Sequence, residues 1–223
     1  KGFETVTIAY QGAVAHHDST GNSGVIYPGD VQWMTAGAGI LHKEYHEENF
    51  SKKGGPFEMV QLWVNLPKKD KSTPAHYQPI TSGEMKKINL ENDGGVVNVI
   101  AGEFNGQEGP AKTFTPVNLF DIKMNAGGKI SFSIPANHNT AILLINGNAS
   151  INGEYAKEHS FILFENDGEE ITIEAGQKAV LLVMSGEPID EPIASYGPFV
   201  MNTQEEIMEA IQEFQQGKYG ELV

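Results

Sequence analysis

The chain has 223 residues, enough to bury a substantial core as one large or two small domains. Its 15 basic against 29 acidic residues give a formal net charge of -14, and no Lys/Arg cluster offers a phosphate-tracking surface, so direct nucleic-acid binding is excluded. Without cysteine there can be no disulfide, thiolate metal site or cysteine nucleophile; no apolar run is long enough to span a bilayer, so cytoplasmic is the default location.

The 25 glycines and 11 prolines lie scattered among short apolar runs, a pattern that predicts an all-β fold rich in turns, with two small domains preferred to one large one. Strands are expected at 6–10, 13–17, 25–27, 31–34, 40–44 and 57–66, separated by Gln11-Gly12, the loop at 19–24 and Pro28-Gly29-Asp30. The stretch 68–79, with three lysines and two prolines, reads as a connector. The rhythm then resumes at 96–101, 118–124, 130–134, 141–145, 149–152, 161–164, 171–174 and 179–184, with Asn146-Gly147 as a strong hairpin signal. The division expected is a first domain over 1–80, a linker over 81–95, a second domain over 96–195 and a C-terminal segment over 196–223. In that last segment Thr203 and Glu206 form a capping-box pattern, Ile207, Ile211 and Phe214 follow at helical spacing, and Gly217 is the stop. This amphipathic helix is expected to clasp a barrel or a domain interface.

His42 and Glu44 lead the candidate functional residues. Two apart on a strand, they share a face, and the flanking Ile40 and Leu41 argue against a strand solvated on both sides. One nitrogen and one oxygen donor suit a first-row divalent ion such as iron, manganese, cobalt, nickel or zinc. His16 and His17 are adjacent, so at most one points inward; His46 could approach the mouth of the site; His76, His138 and His159 are expected in solvent. Phe3, Trp33 and Met34 are expected in the core rather than as a pocket lining. No phosphate-binding glycine loop or Ser/His/Asp order is present. Comparison of the two halves aligns Gly29 with Gly168 and Ala36-Gly37 with Ala175-Gly176 without gaps, which sets Leu181 opposite His42 and Val183 opposite Glu44. On that register the second half has lost both ligands.

The segments KGFETV at 1–6, GNSG at 21–24, PGDVQWMTAGAGILHKE at 28–44, QLWVNLP at 61–67 and GPFVMNTQEEI at 197–207 resemble the signature segments of the pirin family, in order and over nearly the whole chain. The resemblance implies a bicupin: two jelly-roll β-barrel domains in tandem, with one metal in the N-terminal barrel and none in the second. It implies three histidines and a glutamate as ligands, of which His42 and Glu44 are the third histidine and the glutamate. The first two belong to a His-x-His segment just ahead of the position of Lys1, so the expectation is a truncated chain, in which the metal could be absent. Iron is the metal the resemblance favours, with Mn, Co, Ni, Cu or Zn as alternatives. Glu4 resembles the glutamate of the general cupin motif but is expected outside the ligand set, as a buried hydrogen-bond partner. Activity resembling quercetin 2,3-dioxygenase is implied, the opening of a flavonol ring with O₂, with Glu44 as catalytic carboxylate. The alternative is a metal- or redox-responsive regulator acting through a protein partner.

Overall fold

The computed structural model describes residues 1–222. They form two compact units, one comprising Lys1–Ser82 with the tail from Ile189 onward and the other Gly83–Pro188. Both are β-barrels of the cupin type, built from short strands punctuated by glycine and asparagine turns.

The first unit begins with β1 (Phe3–Gln11), β2 (Val14–Asp18), β3 (Ser23–Ile26), β4 (Val31–Thr35) and β5 (His42–His46). Helix α1 (Glu48–Lys53), β6 (Glu58–Asn65) and β7 (His76–Ile80) follow. One sheet has the order β6-β1-β4-β7 and the other β3-β2-β5, all neighbours antiparallel. Strand β7 lies where a connector was expected. Pro79 has no N–H to give a ladder, but β7 pairs only with β4 and is an edge strand, where proline is tolerated. Helix α1 gives no apolar signal because it buries no side chain; the Glu47 carboxylate caps it by accepting the Phe50 N–H.

The second unit contains β8 (Lys86–Asn89), β9 (Gly95–Ala101), the small hairpin β10 (Glu103–Phe104) and β11 (Gln107–Glu108), β12 (Val117–Met124) and β13 (Lys129–Ser133). It continues with β14 (Asn139–Asn146), β15 (Ala149–Ile151), β16 (Glu154–Ala156), β17 (Phe161–Leu163), β18 (Glu170–Glu174) and β19 (Ala179–Gly186). Its sheets run β17-β14-β19-β12-β9-β8 and β13-β18-β15-β16. The stretch 81–95 is therefore not a free linker: Lys86–Asn89 pairs with β9, Ile88 lying opposite Val97.

The two units repeat one plan. A central strand flanked on both sides (β1 by β4 and β6; β14 by β17 and β19) is followed by a three-stranded set, β3-β2-β5 in one and β16-β15-β18 in the other. The glycine turns after the central strands, Gly12 and Gly147, both have φ near +80°, and the ladder slips by a residue just before each, at Ala9/Gln11 and at Leu144/Asn146. Counting from these turns, Thr7 matches Ile142 and His16 matches Ile151. Strand pairing then matches Glu44 with Ile173, Gln61 with Val183 and Gln32 with Ile162. His42, two residues before Glu44, falls on Ile171.

The ungapped alignment of the halves is corrected accordingly. Leu181 and Val183 belong to the counterpart of β6, not of β5, because the loops differ in length and the offset drifts from 135 at Gly12/Gly147 to 129 at Glu44/Ile173 and 122 at Gln61/Val183. The chemical contrast survives the shift. Ile142, Ile151, Ile171, Ile173 and Val183 belong to one apolar core with Phe120, Phe132 and Leu181, so the second barrel is filled where the first carries histidine, threonine, glutamine and glutamate.

The tail forms β20 (Ala194–Tyr196), β21 (Phe199–Met201) and α2 (Gln204–Gln215). The capping box is present: Thr203 Oγ1 accepts the Glu206 N–H, and the Glu206 carboxylate accepts the Thr203 N–H. The helix buries Ile207 and Ala210 against Phe199, Met201 and Tyr219, whereas Phe214, expected on the buried stripe, is exposed. Lys1 Nζ pairs with Glu213, so the tail belongs with the first strands and does not continue the second unit. Thr203→Ala is expected to cost about 1 kcal/mol. The readout is a lower urea midpoint by tryptophan fluorescence, since Trp33 and Trp63 both lie in the first unit.

Candidate metal centre

Strand β5 shows the alternation its sequence predicts, with His42 and Glu44 half-buried and Lys43 and Tyr45 exposed. His42 Nε2 stands 3.5 Å from Glu44 Oε1. The carboxylate is held by two strands of the facing sheet: Thr7 Oγ1 on β1 donates to Oε1 at 2.8 Å, and Gln61 Nε2 on β6 donates to Oε2 at 2.5 Å. Gln61 also donates to Thr7 Oγ1 at 3.0 Å, which closes the set. Burial pushes the Glu44 carboxyl up, but His42 in its protonated form together with the donors Thr7 and Gln61 outweighs it and leaves it below the usual carboxylate range.

The imidazole is held from its other side. Asp18, across the ladder from His42, accepts from the Thr20 N–H, Thr20 Oγ1, the Asn22 N–H and Asn22 Nδ2. It also accepts the Tyr77 hydroxyl. Having donated to Asp18, the Tyr77 oxygen remains an acceptor for His42 Nδ1–H at 3.1 Å. In the neutral ring this leaves Nε2 with its lone pair turned towards Glu44. Nε2 is buried and has no hydrogen-bond partner. Two lone-pair atoms facing each other invite a cation between them, and donors bound to one ion at about 2.1 Å stand about 3.0–3.4 Å apart, close to the spacing seen. The pair fits two positions of a metal centre. Among the described residues no third His, Asp or Glu joins it, because Asp18 is consumed by its own turn and Tyr77.

The remaining candidates fall elsewhere. His16, across from Glu44, is buried and stacks on Tyr77 with ring centroids 5.5 Å apart, while His17 turns out towards Tyr45. His46 packs on Phe57 and Phe50. Glu4 points to the opposite face of β1 from Thr7; it is buried, accepts from Thr35 Oγ1 at 2.7 Å, and burial raises its carboxyl. Trp33 shares the Glu4 face through its partner Val6, whereas Met34, opposite Thr5, and Phe3, stacked on Trp63, share the Thr7 face. His138, expected in solvent, is buried with Nδ1 2.9 Å from Ser185 Oγ. Sequence reasoning missed Thr7, Gln61, Asp18 and Tyr77. The first two carry a parity signal: both face the barrel interior on strands the sequence does show.

The sequence pattern of the pirin family matches residues 1–64, and that of the pirin C-terminal cupin domain matches residues 119–220. A Pseudomonas aeruginosa protein provisionally named quercetin 2,3-dioxygenase is 47% identical over 219 residues, covering 98% of this chain and 77% of its own. The crystal structure of quercetin 2,3-dioxygenase from Acinetobacter baumannii superposes with a TM-score of 0.96 at 46% identity, over 100% of this chain and 78% of that one. A bacterial pirin from Escherichia coli, solved in complex with nickel(II), shares the fold at a TM-score of 0.66 and 22% identity, over 84% of this chain and 74% of its own. With two cupin barrels in tandem, a closing helix and these matches along both halves, the chain belongs to the pirin family.

Proposed function

We propose that this pirin is a metal-dependent dioxygenase that opens the central ring of a flavonol with O₂, releasing carbon monoxide. The observation that carries the reading is the buried, unpartnered His42 Nε2 facing Glu44 Oε1 in the polar barrel. The names of the Pseudomonas and Acinetobacter relatives supply the substrate class. His42 and Glu44 would hold a divalent first-row ion, iron by preference, whose Lewis acidity would stabilise a flavonol oxygen as its anion.

The chain's own residues prepare that chemistry. Thr7 and Gln61 orient Glu44 and keep it ionised, so that a carboxylate oxygen can accept the flavonol hydroxyl proton. Tyr77 and Asp18 fix the His42 ring with Nε2 inward. The second barrel, closed by isoleucine and valine at the matching positions, serves as scaffold. The test is to purify the protein at its natural length, quantify bound metal by mass spectrometry, and follow flavonol absorbance and headspace carbon monoxide under O₂. Turnover with one carbon monoxide per flavonol consumed is expected; metal-loaded protein that consumes no flavonol refutes the reading.

A further inference from the structure

The six-stranded sheet of the second unit ends at β17 on one side and at β8 on the other. Edge strands commonly carry charge or proline that discourages pairing with another chain. Strand β8 has Lys86 and Lys87, and β7, an edge of the first unit, has Pro79. Strand β17 has neither device: residues 161–164 read Phe-Ile-Leu-Phe, with Phe161 62% and Leu163 72% exposed.

The plan shared by the two units shows what this edge lacks. Because Gln32 matches Ile162, β17 is the counterpart of β4, with Phe161 on Val31 and Leu163 on Trp33. In the first unit β7 covers the far side of β4, and Val31 and Trp33 are 2% and 0% exposed. The second unit supplies no such strand, since β19, the counterpart of β6, ends at Gly186 and the chain rejoins the first unit from Ile189. The backbone of β17 is set for the missing neighbour. The Ser160 carbonyl accepts the Leu144 N–H, and the Phe164 N–H donates to the Thr140 carbonyl, so residues 160, 162 and 164 turn their backbone groups towards β14. Phe161 and Leu163, out of phase with them, turn theirs outward.

We propose that β17 pairs antiparallel with β17 of a second copy of this chain, about a two-fold axis at Ile162, joining the two sheets edge to edge. In that register Phe161 stands opposite the partner's Leu163 and Leu163 opposite the partner's Phe161, each pair exchanging both backbone hydrogen bonds and meeting as an apolar cross-strand pair. The same register brings His159 level with the partner's Glu165 at both ends of the ladder, a match of donor or cation with carboxylate. Both side chains are exposed. A shift of two residues either way sets Leu163 against His159 or Phe161 against Glu165. This self-complementarity, the requirement of a two-fold contact, selects a second copy over an unrelated strand. The contact stands apart from the candidate metal centre and from the proposed function.

The test is sedimentation equilibrium over a concentration series, on the protein at its natural length. The variants are Leu163→Lys, Leu163→Pro, His159→Glu, Glu165→Lys and the double variant His159→Glu/Glu165→Lys. Leu163 is exposed and its N–H points away from β14, so neither substitution there removes a bond of the native ladder, and the two are independent routes to a folded, blocked edge. A reversible dimer is expected for the wild type, with its dissociation constant raised about tenfold or more by either Leu163 variant at unchanged metal content. Each single charge variant should weaken the dimer and the double variant restore it. A wild type that stays monomeric at every concentration overturns the proposal, as does a dimer unchanged in the folded Leu163 variants. A dimer lost in those variants but with no coupling between residues 159 and 165 overturns the register.

Discussion

Replacing His42 by alanine is expected to reduce bound metal to traces and flavonol turnover by at least about a thousandfold, which is about 4 kcal/mol of transition-state stabilisation. His42 Nε2 is the ring nitrogen that faces Glu44 Oε1 with no other partner of its own, and alanine removes it from the pair. Glu44→Gln should have a comparable effect on metal by a different route. The amide places its N–H groups either at the Oε1 position, where a cation would sit beside His42, or at the Oε2 position, where they face the Gln61 donor, and in both it lacks the carboxylate's charge. Tyr77→Phe should be graded: the ring still packs on His16, but His42 Nδ1 loses its acceptor, and loss of such a supporting bond typically weakens metal affinity 10- to 100-fold. Metal content, unfolding midpoint and turnover, measured together on the three variants, separate these effects. Stoichiometric metal and full turnover in a folded His42→Ala protein would remove His42 and Glu44 from the ligand assignment.

How much of this was legible in the sequence depends on the range of the signal. Strand rhythm is local, so all eight strands expected after residue 95 and all six before residue 67 are present, within a few residues at their ends. The shared face of His42 and Glu44 follows from the two-residue period of a strand and needs no tertiary information. The residues that hold the pair are not local to it: Thr7 is 37 positions from Glu44, Gln61 17, and Tyr77 35 from His42. Tyr77 was also hidden by Pro79, which makes its strand read as connector until the β7 edge position is known. The duplication shows the complementary failure. Glycine turns recur at similar spacing in any short-stranded barrel, so a gapless match can join turns that are not equivalent, and only the ladder places Ile171 and Ile173 against His42 and Glu44. His138 misled for a simpler reason: a histidine near a turn reads as exposed until Ser185 of β19 is seen to receive it.

The largest expected effect on stability lies at a residue with no sequence signal at all. Lys71, in a stretch that reads as a solvated connector, is 2% exposed, and its Nζ donates to Gly2 O, Asn65 Oδ1 and Val200 O at 2.7–2.9 Å. One ammonium thus ties the entry to β1, the end of β6 and the middle of β21. Its acceptors are neutral, so burial dominates and lowers its pKa to about 8 despite Glu191 and Glu206. Lys71→Met relieves that burial but strands three oxygens, each costing about 1–3 kcal/mol where water cannot reach. A net loss of about 3 kcal/mol at pH 7 is expected, read from urea unfolding by fluorescence, which reports the first unit alone. The pH dependence fixes the mechanism. Because the folded pKa of about 8 lies below the unfolded value near 10.5, the unfolded chain binds more protons between the two, so the wild type gains stability from this group as pH rises through that window. Below pH 8 the contribution is flat. The methionine variant lacks the slope, so its deficit should widen by up to roughly 3 kcal/mol between pH 8 and 10.5, and a deficit that stays constant or narrows would show that the ammonium is not buried as described.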